Sequence, residues 1–230
     1  MYRFLTLLII TFSINTSSRS YIDYESPYHP VVGKSGMVVS QNYLSSDIGI
    51  EILSMGGNAV DAAVAVGFSL AITLPRAGNL GGGGFMLVYI KEKDEIFYID
   101  YRSKSPLNSN LENIFNIKDD SGKNYETVPK NFDSKKYDLV DTGYKASAVP
   151  GTVAGLLEAH SRFGKLKLKD ILEPVIKQAK QGIVVSYDLS KAIESTPRLA
   201  NDPESKKIYF DNDTPIQQYS LSKLPDLANT

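Results

Sequence analysis

Arg102 is the residue of this sequence best suited to ligand chemistry. It follows Ile96-Phe97-Tyr98-Ile99-Asp100-Tyr101, a run that reads as a strand. A guanidinium held at the end of a rigid element can grip a carboxylate through two parallel hydrogen bonds. On position alone, an arginine there serves equally well as a surface salt-bridge partner. The other chemistry-bearing types offer less. Cysteine is absent, which removes thiolate nucleophiles, disulfides and Cys-type zinc sites together. His29 and His160 are far apart, with no companion ligand at metal spacing, and His160 falls at the end of an expected helix, where a positive charge is mildly favoured. Neither Gly-x-Ser-x-Gly nor His-Glu-x-x-His occurs, so nothing in the chain marks a serine or zinc hydrolase. Asp119-Asp120-Ser121-Gly122 places carboxylates in a loop but lacks the glutamate at the twelfth position of a calcium loop, and reads as a solvated turn. The residues therefore give no catalytic group, no metal site and no cofactor site.

The four consecutive glycines Gly81 to Gly84 raise a nucleotide-binding reading that the element order defeats. Phosphate loops follow a strand and open a helix, so that the helix N-terminus faces the anion. Here a helix precedes and a strand follows. Gly33-Lys34-Ser35 resembles the end of a P-loop, yet position 28, where the first glycine belongs, is Tyr28. The glycine run reads as close packing of backbone, with Asn79 ordering the loop through side-chain hydrogen bonds.

These residues need elements to hold them. Ala59 to Thr73 is nearly all Ala, Val, Gly, Leu and Ile, with Asp61 its one charge, so it lacks the polar face of a surface helix and must be buried on most sides. Asn58 fits its N-cap, with the Asp61 carboxylate in the first turn near the positive helix end. Before it, Met37 to Ser40 reads as a short strand and Tyr43 to Met55 as a helix with Leu44, Ile48 and Ile52 on one face. Phe85 to Ile90 and Ile96 to Tyr101 flank Lys91-Glu92-Lys93-Asp94-Glu95 and predict a hairpin, apolar on both faces and so covered on two sides. Asn108 to Asp141 is polar and reads as a loop or insertion. Helices are expected near Val153 to Arg162, ended by Gly164, near Asp170 to Lys180, ended by Gly182, and over Tyr187 to Glu194 with Ser186 as N-cap. Pro225 and Asp226 read as the start of another. Periodicity alone gives a mixed α/β chain.

At 230 residues, 42% hydrophobic and 22% charged, the chain is long enough to bury a core. A net charge of −1 with scattered Lys and Arg leaves no footprint for nucleic acid. Residues 1–20 have the layout of a signal peptide: Arg3, an apolar run from Phe4 to Ile14, then small polar residues with Ser18 and Ser20 at the expected cleavage positions. The apolar run is well short of the ~20 residues that span a bilayer. The expected organisation is a signal peptide over 1–20 and one region over 21–230, in a periplasmic or secreted protein.

GGNAVDAAVAVGFSLAITLPRAGNLGGGGFML, from Gly56 onward, and Ile99-Asp100-Tyr101-Arg102-Ser103-Lys104-Ser105-Pro106 strongly resemble the start of the γ-glutamyltransferase (γ-glutamyltranspeptidase) large subunit. Ala148-Val149-Pro150-Gly151-Thr152-Val153-Ala154-Gly155-Leu156, Phe163-Gly164-Lys165-Leu166 and Ala179-Lys180-Gln181-Gly182-Ile183-Val184-Val185 continue the likeness in the same order. It runs from about Gly36 to Ile193 and is weakest over Asn108 to Val140. The resemblance implies that Arg102, in the Asp-Tyr-Arg motif, binds the α-carboxylate of the γ-glutamyl group, with a γ-glutamyl compound such as glutathione as substrate. It implies part of a four-layer αββα N-terminal-nucleophile hydrolase fold, incomplete without a C-terminal segment.

Members of that family cut themselves, and the new N-terminal threonine is the nucleophile while its own amine is the base. No Thr-Thr-His processing sequence occurs in these residues. The expectation is a γ-glutamyltransferase or glutathione hydrolase-like protein truncated before its catalytic threonine and inactive alone. Its partner would be a small subunit or C-terminal segment encoded separately. The alternative is a non-catalytic remnant. Related acylases and poly-γ-glutamate-cleaving enzymes share this front half, so the resemblance leaves the exact substrate open.

Overall fold

The computed structural model describes residues 30–109 and 146–230. The expected signal peptide, His29, the Asp119 to Gly122 turn and nearly all of the polar stretch from Asn108 to Asp141 lie outside the described residues. The chain divides into two compact units, Met1–Met37 and Val38–Thr230. Residues 30–37 of the first carry no helix or strand.

In the second unit, α1 (Tyr43–Ser54) starts where the Asn42 side chain accepts from the Leu44 amide at 3.0 Å, and it buries Ser45, Ile48, Gly49 and Ile52. Helix α2 (Ala59–Thr73) is buried along most of its length, as its lack of a polar face requires. Its small side chains admit its neighbours closely: a Cβ on Gly67 would stand 2.9 Å from both terminal methyls of Leu156. A chain of hydroxyls crosses this packing. Ser45 Oγ lies 2.8 Å from both Ser69 Oγ and Thr73 Oγ1, and Ser69 donates to Gln178 Oε1 at 2.7 Å. These buried groups satisfy one another, so three helices meet in one register without an orphaned hydroxyl.

Strands β1 (Phe85–Ile90) and β2 (Glu95–Asp100) form the expected antiparallel hairpin, with Val88 opposite Phe97 and Met86 opposite Ile99. Asp94 takes a positive φ of 52° in its turn. Val88 and Ile99 are buried on the inner face, flanked by partly buried Met86, Ile90, Phe97 and Tyr101. The outer face departs from the expectation of two covered sides. Phe85, Leu87, Tyr89, Ile96 and Tyr98 are exposed, Leu87 at 73% and Ile96 at 71%. Apolar residues fill both sides of each strand, but helices reach only one of them. The strand expected over Met37 to Ser40 is also corrected: this segment runs without ladder bonds, because no strand among the described residues lies beside it.

Helices α3 (Thr152–Phe163), α4 (Leu168–Gln181) and α5 (Tyr187–Glu194) follow close to expectation. Gly182 ends α4 with φ of 88°, a value a side chain would oppose. Ser186 caps α5 by accepting from the Leu189 amide at 3.1 Å. Short elements complete the unit: β3 (Ile183–Val184), a 3₁₀ turn (Pro197–Asn201), α6 (Pro203–Tyr209), β4 (Phe210–Asp211), β5 (Thr214–Pro215), β6 (Leu221–Ser222) and α7 (Pro225–Asn229). Pairs β3–β6 and β4–β5 are antiparallel. The fold is mixed helix and strand, with its core between α1 to α5 and the inner face of the hairpin.

Candidate functional site

Three segments distant in sequence converge where β2 ends. Tyr101 donates to the Gly84 carbonyl at 3.0 Å and accepts from the Gly84 amide at 3.2 Å, which extends the hairpin ladder by one pair. Three residues further, Lys104 and Val149 exchange amide-to-carbonyl bonds at 3.0 and 2.8 Å. The Gly82 carbonyl accepts from the amides of Gly151 and Thr152, at 2.8 and 3.2 Å, and so ties the glycine loop to the first turn of α3. The loop itself is held by Asn79, whose side chain donates to the Pro75 carbonyl at 3.0 Å while its own carbonyl accepts from the Gly82 amide at 3.3 Å.

Glycines line this junction because the strand exit leaves no space for anything larger. A Cβ on Gly151 would stand 2.0 Å from the Tyr101 carbonyl oxygen, and one on Gly83 2.3 Å from the Ser103 nitrogen. On Gly155 it would meet Tyr101 Cγ at 2.1 Å, and on Gly84 Tyr101 Cε2 at 2.7 Å. The close-packing reading of the glycine run therefore holds, and the backbone it packs against is that of Tyr101 to Ser103. The Tyr101 ring is half-buried in this cage, and desolvation pushes its hydroxyl pKa above the usual phenolic value.

Arg102 emerges from the cage onto the surface. Its amide donates to Asp100 Oδ1 at 2.9 Å. Among the described residues no carboxylate pairs with its guanidinium. It opens into a cleft of about 370 Å³ whose walls include Tyr101, Lys104, Val149, Gly151 and Glu158. The cleft is lined by Lys104 and also by the carboxylates of Asp100 and Glu158, and an exposed guanidinium on an immobilised strand end can bind a further carboxylate through two parallel hydrogen bonds.

The other singled-out residues are structural. Asp61, fully buried, accepts from the Asn58 amide at 2.9 Å, completing the capping box. It also accepts from the amides of Lys165, at 3.0 Å to one oxygen and 3.1 Å to the other, and Leu166, at 3.2 Å. Asn58 Nδ2 donates to the Phe163 carbonyl at 2.6 Å. Together they pin the α3–α4 turn to the start of α2, a role that local sequence could not reveal. His160 Nε2 lies 2.9 Å from the Leu166 carbonyl in the same turn. Sequence reasoning also passed over Asp100, although an Asp two residues before a key amide is a recognisable turn signal.

The family model for gamma-glutamyltranspeptidase matches residues 45–230. The glutathione hydrolase proenzyme of Escherichia coli (strain K12) is 39% identical over 213 residues, which is 92% of this chain and 34% of that protein. The chain thus spans about a third of the length of the curated relatives it matches. Among solved structures, the Helicobacter pylori gamma-glutamyltranspeptidase is similar with a TM-score of 0.73 and 34% identity, covering 87% of this chain and 54% of that one. The gamma-glutamyltranspeptidase of Pseudomonas nitroreducens is similar at 0.69 and 36%, covering 86% and 53%.

Proposed function

Because this chain belongs to the γ-glutamyltranspeptidase family, we propose that it forms the substrate-positioning part of a γ-glutamyl acyltransferase or glutathione hydrolase. Arg102 grips the substrate α-carboxylate, and glutathione or a related γ-glutamyl compound is the substrate. The observation that carries this reading is the exposed Arg102 guanidinium, unpaired among the described residues, on a strand end that four glycines immobilise. The acyl-accepting threonine comes from a segment outside these 230 residues, and the reaction needs no metal or cofactor. On this reading the outer face of the hairpin packs beneath a second sheet in a four-layer αββα arrangement, and residues 1–20 direct export to the periplasm or medium.

The test joins this chain to the C-terminal part of the Escherichia coli relative. Arg102→Lys keeps the charge but loses the fork, and Arg102→Ala leaves the carboxylate unpaired, so activity falls in that order. Loss of a charge-assisted contact lowers kcat/KM by about ten- to a hundredfold for a γ-glutamyl substrate. An analogue without the α-carboxylate is unaffected. Equal losses on both substrates would overturn the assignment. Purified 1–230 alone should neither hydrolyse nor transfer the γ-glutamyl group, and turnover above the uncatalysed level would contradict that reading. An N-terminus beginning at Tyr21 on the mature protein would support export.

A further inference from the structure

We propose that Asp100 is a positioning residue for Arg102, acting through the backbone; the proposal rests on the reading of Arg102 given above. Upstream, Tyr101 is fixed by its two bonds to Gly84 and by the cage of glycines. Downstream, Lys104 is fixed by its two bonds to Val149. Between these anchors the chain must leave the ladder and turn Arg102 outward. In that gap the Arg102 amide has a side-chain partner, Asp100 Oδ1 at 2.9 Å, in the i to i+2 geometry of an Asx turn.

Asp100 is exposed, at the last position of β2, and forms no ion pair among the described residues. Its carboxylate is therefore neither a core element nor a neutralising partner for a neighbouring cation. What it sets is the orientation of the peptide that carries the Arg102 side chain. Without it, the backbone at Arg102 samples other conformations, and a smaller fraction of molecules presents the guanidinium to the cleft. Apparent affinity falls in proportion to that fraction, whereas the complex, once formed, is unchanged. The effect belongs in KM and not in kcat.

The experiment uses the same joined enzyme. Asp100→Ala should raise KM for a γ-glutamyl substrate about two- to tenfold, the range expected for one backbone-ordering hydrogen bond, with kcat unchanged. The analogue lacking the α-carboxylate should show no change. Asp100→Asn retains the Oδ1 acceptor and should restore KM. Asn as poor as Ala would overturn the turn-based account, and so would equal losses on the two substrates, a fall in kcat, or failure of Asp100→Ala to self-cleave. Arg102→Lys measured in parallel separates the two ideas. If it discriminates between the substrates and Asp100→Ala does not, the Asp100 proposal falls while the role of Arg102 stands. If Arg102→Lys does not discriminate, both fall.

Discussion

Gly155 lies against the ring of Tyr101 so closely that a Cβ on it would stand 2.1 Å from the ring's Cγ. Gly155 is inside α3, where alanine would ordinarily stabilise by about 1 kcal/mol. The contact reverses that sign, because the caged ring has nowhere to retreat. Gly155→Ala should destabilise by roughly 1–3 kcal/mol, an overpacking cost. In a Tyr101→Gly background, which also removes the Tyr101 Cβ that would stand 2.3 Å away, the same substitution should become neutral or favourable, and urea unfolding of the four proteins in this cycle measures the coupling.

Asp61→Asn tests the pin between α2 and the α3–α4 turn. The carboxylate serves the amides of Asn58, Lys165 and Leu166 while fully buried, and an amide offers one acceptor oxygen plus a donor facing those N–H groups. Each orphaned buried donor costs about 1–3 kcal/mol. A loss of at least about 2 kcal/mol is expected, read as a lower urea midpoint with an unchanged m-value.

Alkaline pH should expose the burial of two phenols. Desolvation raises the pKa of Tyr101 and of Tyr209 above the ordinary phenolic value of about 10. Past pH 10 the unfolded chain loses these protons first, so it binds fewer than the folded chain, and stability falls as pH rises toward the folded values. Below that range the contribution is fully present. Tyr101→Phe and Tyr209→Phe should each flatten the decline in urea midpoint between about pH 9 and 11, and the double variant most.

The outer hairpin face should bind apolar dye in the isolated chain. Leu87 and Tyr98 stand opposite each other on it, and Phe85 stacks with Tyr98 at 6.2 Å between ring centroids. Leu87→Lys should reduce dye binding and self-association while changing monomer stability by less than about 0.5 kcal/mol. A large stability loss would show that the face is already covered.

What could be read in the sequence was what local chemistry decides. Asn58 and Asp61 announce a helix start by their spacing, Ser186 another, and the charged Lys91 to Glu95 a turn. What partner a segment meets could not be read. Met37 to Ser40 has strand-forming residues but no neighbouring strand among the described residues, and the hairpin is apolar on both faces although helices cover one. The glycines of the 81–84 run and of the 151–155 segment are visible as compositional oddities, yet only the fold brings both against Tyr101. Likewise Ser45, Ser69 and Thr73 look like indifferent helix residues until three helices close around them. The Asp-Tyr-Arg motif could be read in the sequence, but not the bond by which Asp100 holds the Arg102 amide.

The bonds from Asp61 to Lys165 and Leu166 join residues 104 and 105 positions apart. Closing so long a loop carries an entropic cost before any reward, so this junction belongs to the late stages of folding. It also fixes how the finished protein opens. The Lys165 amide sits in a turn between helices, where fraying would normally exchange its proton quickly, yet its acceptor lies at the buried head of α2. It can be released only when α2 separates from that turn, so its protection in hydrogen exchange should match the slowest amides of α2.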